Sequence, residues 1–368
     1  MTVGSHPRLF KLCHFAARFI LKSNASVVIH DYKLLILTLR TTTERKDDME
    51  IVILDSGYKS YDFETELFEK NGFRLKIYPE FKGNPSEKRD FAQNADGILV
   101  RHTTIDDAFL SEMKNLKAVV RYGVGYDNID IEACSKYGVK VANVQGYANH
   151  SVSDHAIALM FSCTRGMWDT KLQLTQGFAT PPIRDIFELH DKTLGVIGIG
   201  RIGSIFCIKA SHFFKEVLAC DPYKPDNHFN QLSVRRVELE ELLNESDIIS
   251  LHCNLTNETK HLLNSDRFLM IKKRPVIINT SRGEVICEKA LLEALNSGKI
   301  HSAGLDVYEN EPITRMQNKL VNHPRTICTG HYAWYSDKAS EELQRRAAIN
   351  LLNFLLGNTV EDCLNTQL

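Results

Sequence analysis

Thr193-Leu194-Gly195-Val196-Ile197-Gly198-Ile199-Gly200-Arg201-Ile202-Gly203 is the stretch that decides the fold. An apolar run breaks into glycines spaced G-x-G-x-x-G, and a helical pattern follows, predicted over Ile205–Phe214. Glycines there permit a tight turn and a close approach of backbone to a pyrophosphate, while the helix N-terminus offers free N–H groups and partial positive charge. The next apolar strand, Glu216–Cys220, ends at Asp221. A carboxylate at that point accepts hydrogen bonds from the adenosine ribose hydroxyls and repels a 2′-phosphate, which predicts NAD over NADP. A ligand-free Gly-rich turn has the same spacing; strand, helix and acid together favour the dinucleotide.

Strands and helices alternate on both sides of this stretch, the signature of parallel α/β sheets. Upstream, strands are predicted at Ile51–Leu54, Phe73–Ile77, Gly97–Val100, Lys117–Val120 and Val139–Ala142, with a helix at Phe63–Asn71. A helix at Ser151–Thr164, with Ser151 and Asp154 spaced as a capping box, and a loop holding Pro181-Pro182 lead into the fingerprint. Downstream, strands are expected at Ile248–Leu251, Pro275–Ile278, His301–Leu305 and Arg325–Cys328, before an amphipathic helix at Glu341–Leu356.

The chain has 368 residues, 41.9 kDa, enough for about two domains. Its 45 basic and 46 acidic residues leave a net charge of −1, so there is no basic field for nucleic acid. No apolar run is long enough for a membrane span. Nine scattered cysteines without a Cys-x-x-Cys pair fit a reducing, cytoplasmic setting, and argue against a disulfide framework or a zinc ribbon; no metal is expected. Residues 1–48 look foreign to the rest: a basic, acid-poor transit peptide, an added element, or an upstream start with Met49 as the functional one. The last is preferred, because Met49 opens a buried strand cleanly.

Three polar residues follow strands of the second unit: Arg282 after Val276-Ile277-Ile278-Asn279, Glu311 in Asp306-Val307-Tyr308-Glu309-Asn310-Glu311-Pro312, and His331 after Ile327-Cys328-Thr329-Gly330. Open α/β sheets bind ligands at the carboxyl ends of their strands. Each residue alone is unremarkable, as a solvated charge, a turn acid or a structural histidine. Together they suit reduction of a 2-oxo acid. A histidine gives the proton, a carboxylate orients it and favours its imidazolium, and an arginine clamps the substrate carboxylate. A second Gly-x-Gly turn, Arg121-Tyr122-Gly123-Val124-Gly125, offers an anion nest, with Arg121 and Arg101 as substrate contacts or surface ion-pair partners. No basic cluster for a substrate phosphate is visible.

These motifs, in this order, resemble the D-isomer-specific 2-hydroxyacid dehydrogenases over about residues 50–358. The resemblance implies two Rossmann-like α/β domains, the NAD-binding domain inserted in a flavodoxin-like substrate domain. The expected division is 1–48 extension, 49–148 substrate domain, 149–331 NAD domain and 332–368 returning to the substrate domain. It further implies Arg282, Glu311 and His331 as catalytic residues. The NAD site would comprise Val124, Gly198, Gly200, Arg201, Ile202, Gly203, Asp221, His252, Cys253, Thr259, Thr280 and Asp306. Substrate contacts would be Arg101, Arg121, Gly123, Val124, Gly125, Arg282 and Trp334. A homodimer through the NAD domains is expected, acting on a small 2-hydroxy or 2-oxo acid. His331-Tyr332-Ala333-Trp334-Tyr335-Ser336 is similar to the C-terminal-binding-protein branch, which makes an NAD(H)-binding corepressor the alternative to an enzyme. Three positions depart from the family pattern: Gly330 in place of proline, Asn254 in a loop where proline is common, and Asp154 in place of glutamate.

Overall fold

The computed structural model describes residues 49–81, 83–177, 185–313 and 318–366. The N-terminal extension and the Pro181-Pro182 loop lie outside these residues.

Two wholly parallel sheets form the frame. The first takes β1 (Glu50–Ile53), β2 (Arg74–Ile77), β3 (Gly97–Val100), β4 (Ala118–Arg121) and β5 (Lys140–Ala142) in the order β2-β1-β3-β4-β5. The second takes β6 (Thr193–Ile197), β7 (Glu216–Cys220), β8 (Arg235–Arg236), β9 (Ile248–Leu251), β10 (Val276–Asn279), β11 (Ser302–Leu305) and β12 (Thr326–Cys328) in the order β12-β11-β10-β9-β6-β7-β8. The central strands are buried on both faces, and therefore read as continuous apolar runs. The chain is α/β with two Rossmann-like parallel-sheet units.

Strand order reverses between β1 and β3 in one sheet and between β6 and β9 in the other. These switch points open a crevice beyond the strand ends, and such crevices are where ligands bind. Asp55 and Arg101 follow β1 and β3; the glycine fingerprint and His252 follow β6 and β9.

The last helix, Asp337–Leu355, returns to the first sheet. Leu343, Ala347, Ala348, Leu351 and Leu352 pack with Ile51, Leu99 and Val120 in one core. Each fully buried leucine contributes about 1.5–3 kcal/mol. This helix starts four residues earlier than its apolar periodicity suggests, because the Ser336 side chain accepts from the Ala339 N–H and caps it.

Two local expectations need correction. The fingerprint helix spans Arg201–Ala210 and ends in a 3-10 turn, so its first turn lies inside the glycine motif rather than after it. The helix Asn149–Thr164 has no capping box. Ser151 bonds the Ser336 hydroxyl at 2.9 Å, and Asp154 pairs with Lys209 at 2.6 Å across to the fingerprint helix. Both side chains are drawn off by tertiary partners.

Candidate active site

A cleft of about 1960 Å³ runs along the strand ends of both sheets. Arg282, Glu311 and His331 all line it. His331 Nδ1 lies 2.5 Å from Glu311 Oε2, and Glu311 Oε1 accepts the Tyr308 N–H at 3.0 Å. Burial works to raise the Glu311 carboxyl; the hydrogen bond and charge of His331, the Tyr308 N–H and the Arg282 charge outweigh it and lower its pKa. A carboxylate on Nδ1 fixes the ring and leaves Nε2 as the nitrogen for other chemistry.

The histidine is anchored by backbone. His331 has φ +55°, a left-handed conformation, and its N–H donates to Asp306 O at 2.7 Å. Gly330 precedes it, and no Cβ at Gly330 would meet anything within 4 Å. The Asp306 carboxylate is engaged by protein: it accepts the Ala333 N–H at 2.9 Å, the Tyr332 N–H at 3.2 Å and the Thr329 hydroxyl at 2.5 Å.

Arg282 leaves the end of β10 beside Asn279, whose side chain donates to Arg282 O and accepts the Ser281 N–H. A Cβ on Gly125 would come 2.5 Å from Arg282 Nη2, and one on Gly123, whose φ is +138°, 1.5 Å from Arg121 Nη1. Two guanidiniums are thus pressed against the Gly123-Val124-Gly125 turn, and a side chain in place of either glycine would displace them. Arg121 Nε is buried with no hydrogen-bond partner, and burial lowers the Arg121 pKa. Arg101 stacks over Trp334 at 4.9 Å, Tyr58 at 5.4 Å and Phe81 at 5.6 Å. No carboxylate pairs with Arg101 or Arg121 among the described residues. The basic cluster invisible in the sequence therefore exists, assembled from the ends of β3, β4 and β10. His102 sits beside it: desolvation, then the charges of Arg101 and Arg121, push its pKa down to about 4.

Sequence reasoning also missed Asp55. It receives the N–H groups of Arg101, His102 and Thr103 at 2.7–3.0 Å and the Lys88 ammonium at 2.6 Å, which fixes the turn carrying Arg101. The available signal was an acid directly after a buried strand.

The fingerprint fits a dinucleotide. Gly198 has φ +85°, and a Cβ on it would meet the Cys253 backbone at 2.7 Å. A Cβ on Gly203 would lie 2.1 Å from Gly198 O, so only glycine lets helix and strand close up, while Gly200 faces open space. Asp221 accepts the Ile199 and Tyr223 N–H groups, each at 3.0 Å, at the end of β7. Thr280 Oγ1 is buried without a partner, an orphan donor on the cleft wall. Val124, Arg201, Ile202, His252 and Cys253 also line the cleft. Burial pushes His252 down to about 3 and Cys253 up to about 11, so both are neutral at pH 7. Thr259 is not brought to the cleft: its hydroxyl is held within its own loop, accepting the Thr256 N–H and donating to Asn254 O.

Residues 157–333 match the model of the NAD binding domain of D-isomer specific 2-hydroxyacid dehydrogenases. A hydroxypyruvate reductase of Thermotoga maritima is 38% identical over 307 residues, covering 83% of this chain and 93% of that enzyme. The chain belongs to the D-isomer specific 2-hydroxyacid dehydrogenase family. Another family member, a D-3-phosphoglycerate dehydrogenase of Bacillus subtilis, is 35% identical over 283 residues, 77% of this chain and 54% of that protein, so this chain spans about half its length. The apo-structure of D-lactate dehydrogenase from Escherichia coli, 31% identical, superposes with a TM-score of 0.76 over 86% of this chain and 100% of that one. NAD is the cofactor for which the family's domain is named. Among the described residues no helix is long and apolar enough to cross a membrane.

Proposed function

We propose that the protein is an NAD-dependent oxidoreductase that interconverts a 2-oxo acid and a D-2-hydroxy acid, with Arg282, Glu311 and His331 as its catalytic residues. The observation that carries this reading is the 2.5 Å His331–Glu311 pair on a cleft that also takes in Arg282 and, from within the glycine fingerprint, Arg201 and Ile202. Bound NADH supplies a hydride to the carbonyl carbon. The protein's part is to hold the acid and the proton. Arg282 and the N–H groups of the Gly123–Gly125 turn bind the substrate carboxylate, and Arg121 adds charge behind that turn. His331 Nε2 gives a proton to the carbonyl oxygen, and Glu311 keeps the ring oriented and stabilises its charged form. In the reverse direction His331 takes the proton back. Fingerprint residues Gly198, Gly200 and Gly203 with Asp221 carry the dinucleotide. With lobes at 49–148 plus 332–368 and at 149–331, Arg101 and Arg121 belong to the first, and Arg282 and the proton donor His331 to the second.

Names of relatives point to small substrates: hydroxypyruvate, glyoxylate, lactate or a phosphorylated three-carbon acid. The Arg101–Arg121 cluster supplies charge that a phosphorylated acid requires. The likeness to the C-terminal-binding-protein branch rests on the stretches His331–Ser336, Arg121–Asp130 and Leu251-His252-Cys253; of these, Trp334 lines the cleft beneath Arg101. Dehydrogenase and reductase relatives favour the enzyme over a corepressor. A homodimer is supported by Met167, Trp168, Leu172 and Leu174 on the helix Met167–Thr175, which expose 47–68% of their surface. A reducing, cytoplasmic setting accords with eight free cysteines among the described residues.

The test compares wild type with His331→Gln for NADH binding by fluorescence and for NADH oxidation with glyoxylate, hydroxypyruvate, pyruvate and 3-phosphohydroxypyruvate. Binding should persist while reduction falls by about 10²–10⁴-fold. Unchanged turnover in the variant would remove His331 from the mechanism, and tight NADH binding by wild type with no turnover on any acid would move the reading to the corepressor.

A further inference from the structure

We propose that His261, Cys287 and Glu309 form a binding site for a borderline-soft divalent cation of the zinc class. One donor atom from each, an imidazole nitrogen, a thiol sulfur and a carboxylate oxygen, lie within 4.8 Å of one another. The three come from separate segments, the loop after β9, the entry to the helix Glu288–Asn296 and the loop after β11, so no sequence spacing announces them.

The scaffold is rigid. His261, Leu263 and Cys287 lie on two chain segments tied by backbone bonds: His261 N–H to Glu284 O at 2.7 Å, Leu263 N–H to Val285 O at 3.1 Å and Cys287 N–H to Leu263 O at 2.9 Å. His261 is held at φ +50°, a left-handed backbone uncommon outside glycine. Glu309 is fixed from the other side. Its N–H donates to Glu288 Oε1 at 2.9 Å and its carboxylate accepts the Glu288 N–H at 3.2 Å, while Glu288 is held in turn by Asn318.

Glu309 has a structural role, accepting the first N–H of the helix Glu288–Asn296, but that role accounts for neither His261 nor Cys287 beside it. The His261–Glu309 contact, 3.0 Å and partly exposed, is the kind of surface ion pair that adds little stability. Cys287 stands at a helix N-cap, where serine, threonine, aspartate or asparagine normally caps, and its side chain makes no capping bond. The mixed N, S, O set selects zinc-like cations over magnesium or calcium, which take oxygen donors. Tetrahedral zinc sets its donors about 3.3–3.6 Å apart, so a set whose members all lie within 4.8 Å of one another needs only side-chain adjustment to close on the ion. Three protein donors leave a fourth position for water, the pattern of an open site. Glu309 lines the cleft and lies two residues from Glu311, so the site backs the segment that carries the histidine's partner.

The experiment titrates the reduced full-length protein with Co²⁺ alone, without substrate, so its outcome is independent of the oxidoreductase reading. A near-ultraviolet thiolate-to-cobalt charge-transfer band should grow to one equivalent and be displaced by Zn²⁺. Cys287→Ser should abolish the band, and His261→Asn or Glu309→Gln should weaken binding by at least about tenfold. In the unmutated protein, Zn²⁺ should slow alkylation of the Cys287 peptide at least about tenfold, with the Cys363 peptide as internal control. Absence of the band in wild type, its survival in Cys287→Ser, or equal alkylation with and without Zn²⁺ overturns the proposal.

Discussion

Replacing Asp55 by asparagine should destabilise the protein by about 3–5 kcal/mol, the usual cost of leaving one partner of a buried ion pair alone. Asp55 and Lys88 are 1% and 4% exposed, and their charged groups meet at 2.6 Å. An asparagine oxygen can still accept the N–H groups of Arg101, His102 and Thr103, but its amide would face the Lys88 ammonium and the Thr103 hydroxyl. Burial alone works to raise the Asp55 pKa; the Lys88 ammonium and the Thr103 and His102 donors outweigh it and bring it from 3.8 down to about 2. Because the folded value is depressed, the corresponding stability, about 2 kcal/mol, is present above pH 3.8 and drains away as pH falls through about 2. Urea unfolding at pH 7 gives the first number, and the difference between pH 5 and pH 3 begins to show the second. Asp55→Asn/Lys88→Met should recover part of the loss, since it removes the stranded charge. The same variants should raise KM for the oxo acid, because the Arg101 turn hangs on this carboxylate. A loss under about 1 kcal/mol in Asp55→Asn, or a double variant less stable than the single one, would refute the reasoning.

Asp221→Ser should narrow the preference for NADH over NADPH, by about 1.5–3 kcal/mol or roughly tenfold to a hundredfold in the ratio of kcat/KM, as a charge-assisted bond to ribose and a repulsion of phosphate disappear together; an unchanged ratio places the discrimination elsewhere. Gly203→Ala must push the fingerprint helix off Gly198 O, so thermal unfolding should reveal a loss of about 1–3 kcal/mol, and NADH titration a weaker complex; wild-type affinity in that variant would contradict the close-packing argument.

The strands and the fingerprint were legible because buried parallel strands are apolar runs and the glycines are demanded by backbone geometry, both local properties. That Arg282, Glu311 and His331 line one cleft was legible because each follows a strand within a few residues, and strand ends share one edge of the sheet. The helix boundaries at Arg201 and Ser336 were misplaced, since a cap or an anion-facing first turn carries no apolar period. The Arg101–Arg121 cluster and the Asp55–Lys88 pair were missed for a different reason. Arg101 and Arg121 meet only because β3 lies beside β4, and Asp55 after β1 meets Lys88 on the helix Pro85–Ala92; such meetings leave no trace in spacing. His261, Cys287 and Glu309 are scattered in the same way.

His331 N–H is tied to the carbonyl of Asp306, at the end of a strand of the dinucleotide sheet, whereas the helix that begins six residues later packs on the other sheet. On the proposed mechanism, His331 and the residues that would hold the dinucleotide would then travel as one body. Their separation would be set at folding, not at each turnover, and a lobe movement would govern only whether an acceptor is enclosed between them. Lesions in the joint after His331 should then slow capture and release of the acid while the solvent and substrate isotope effects of the transfer itself keep their wild-type ratio.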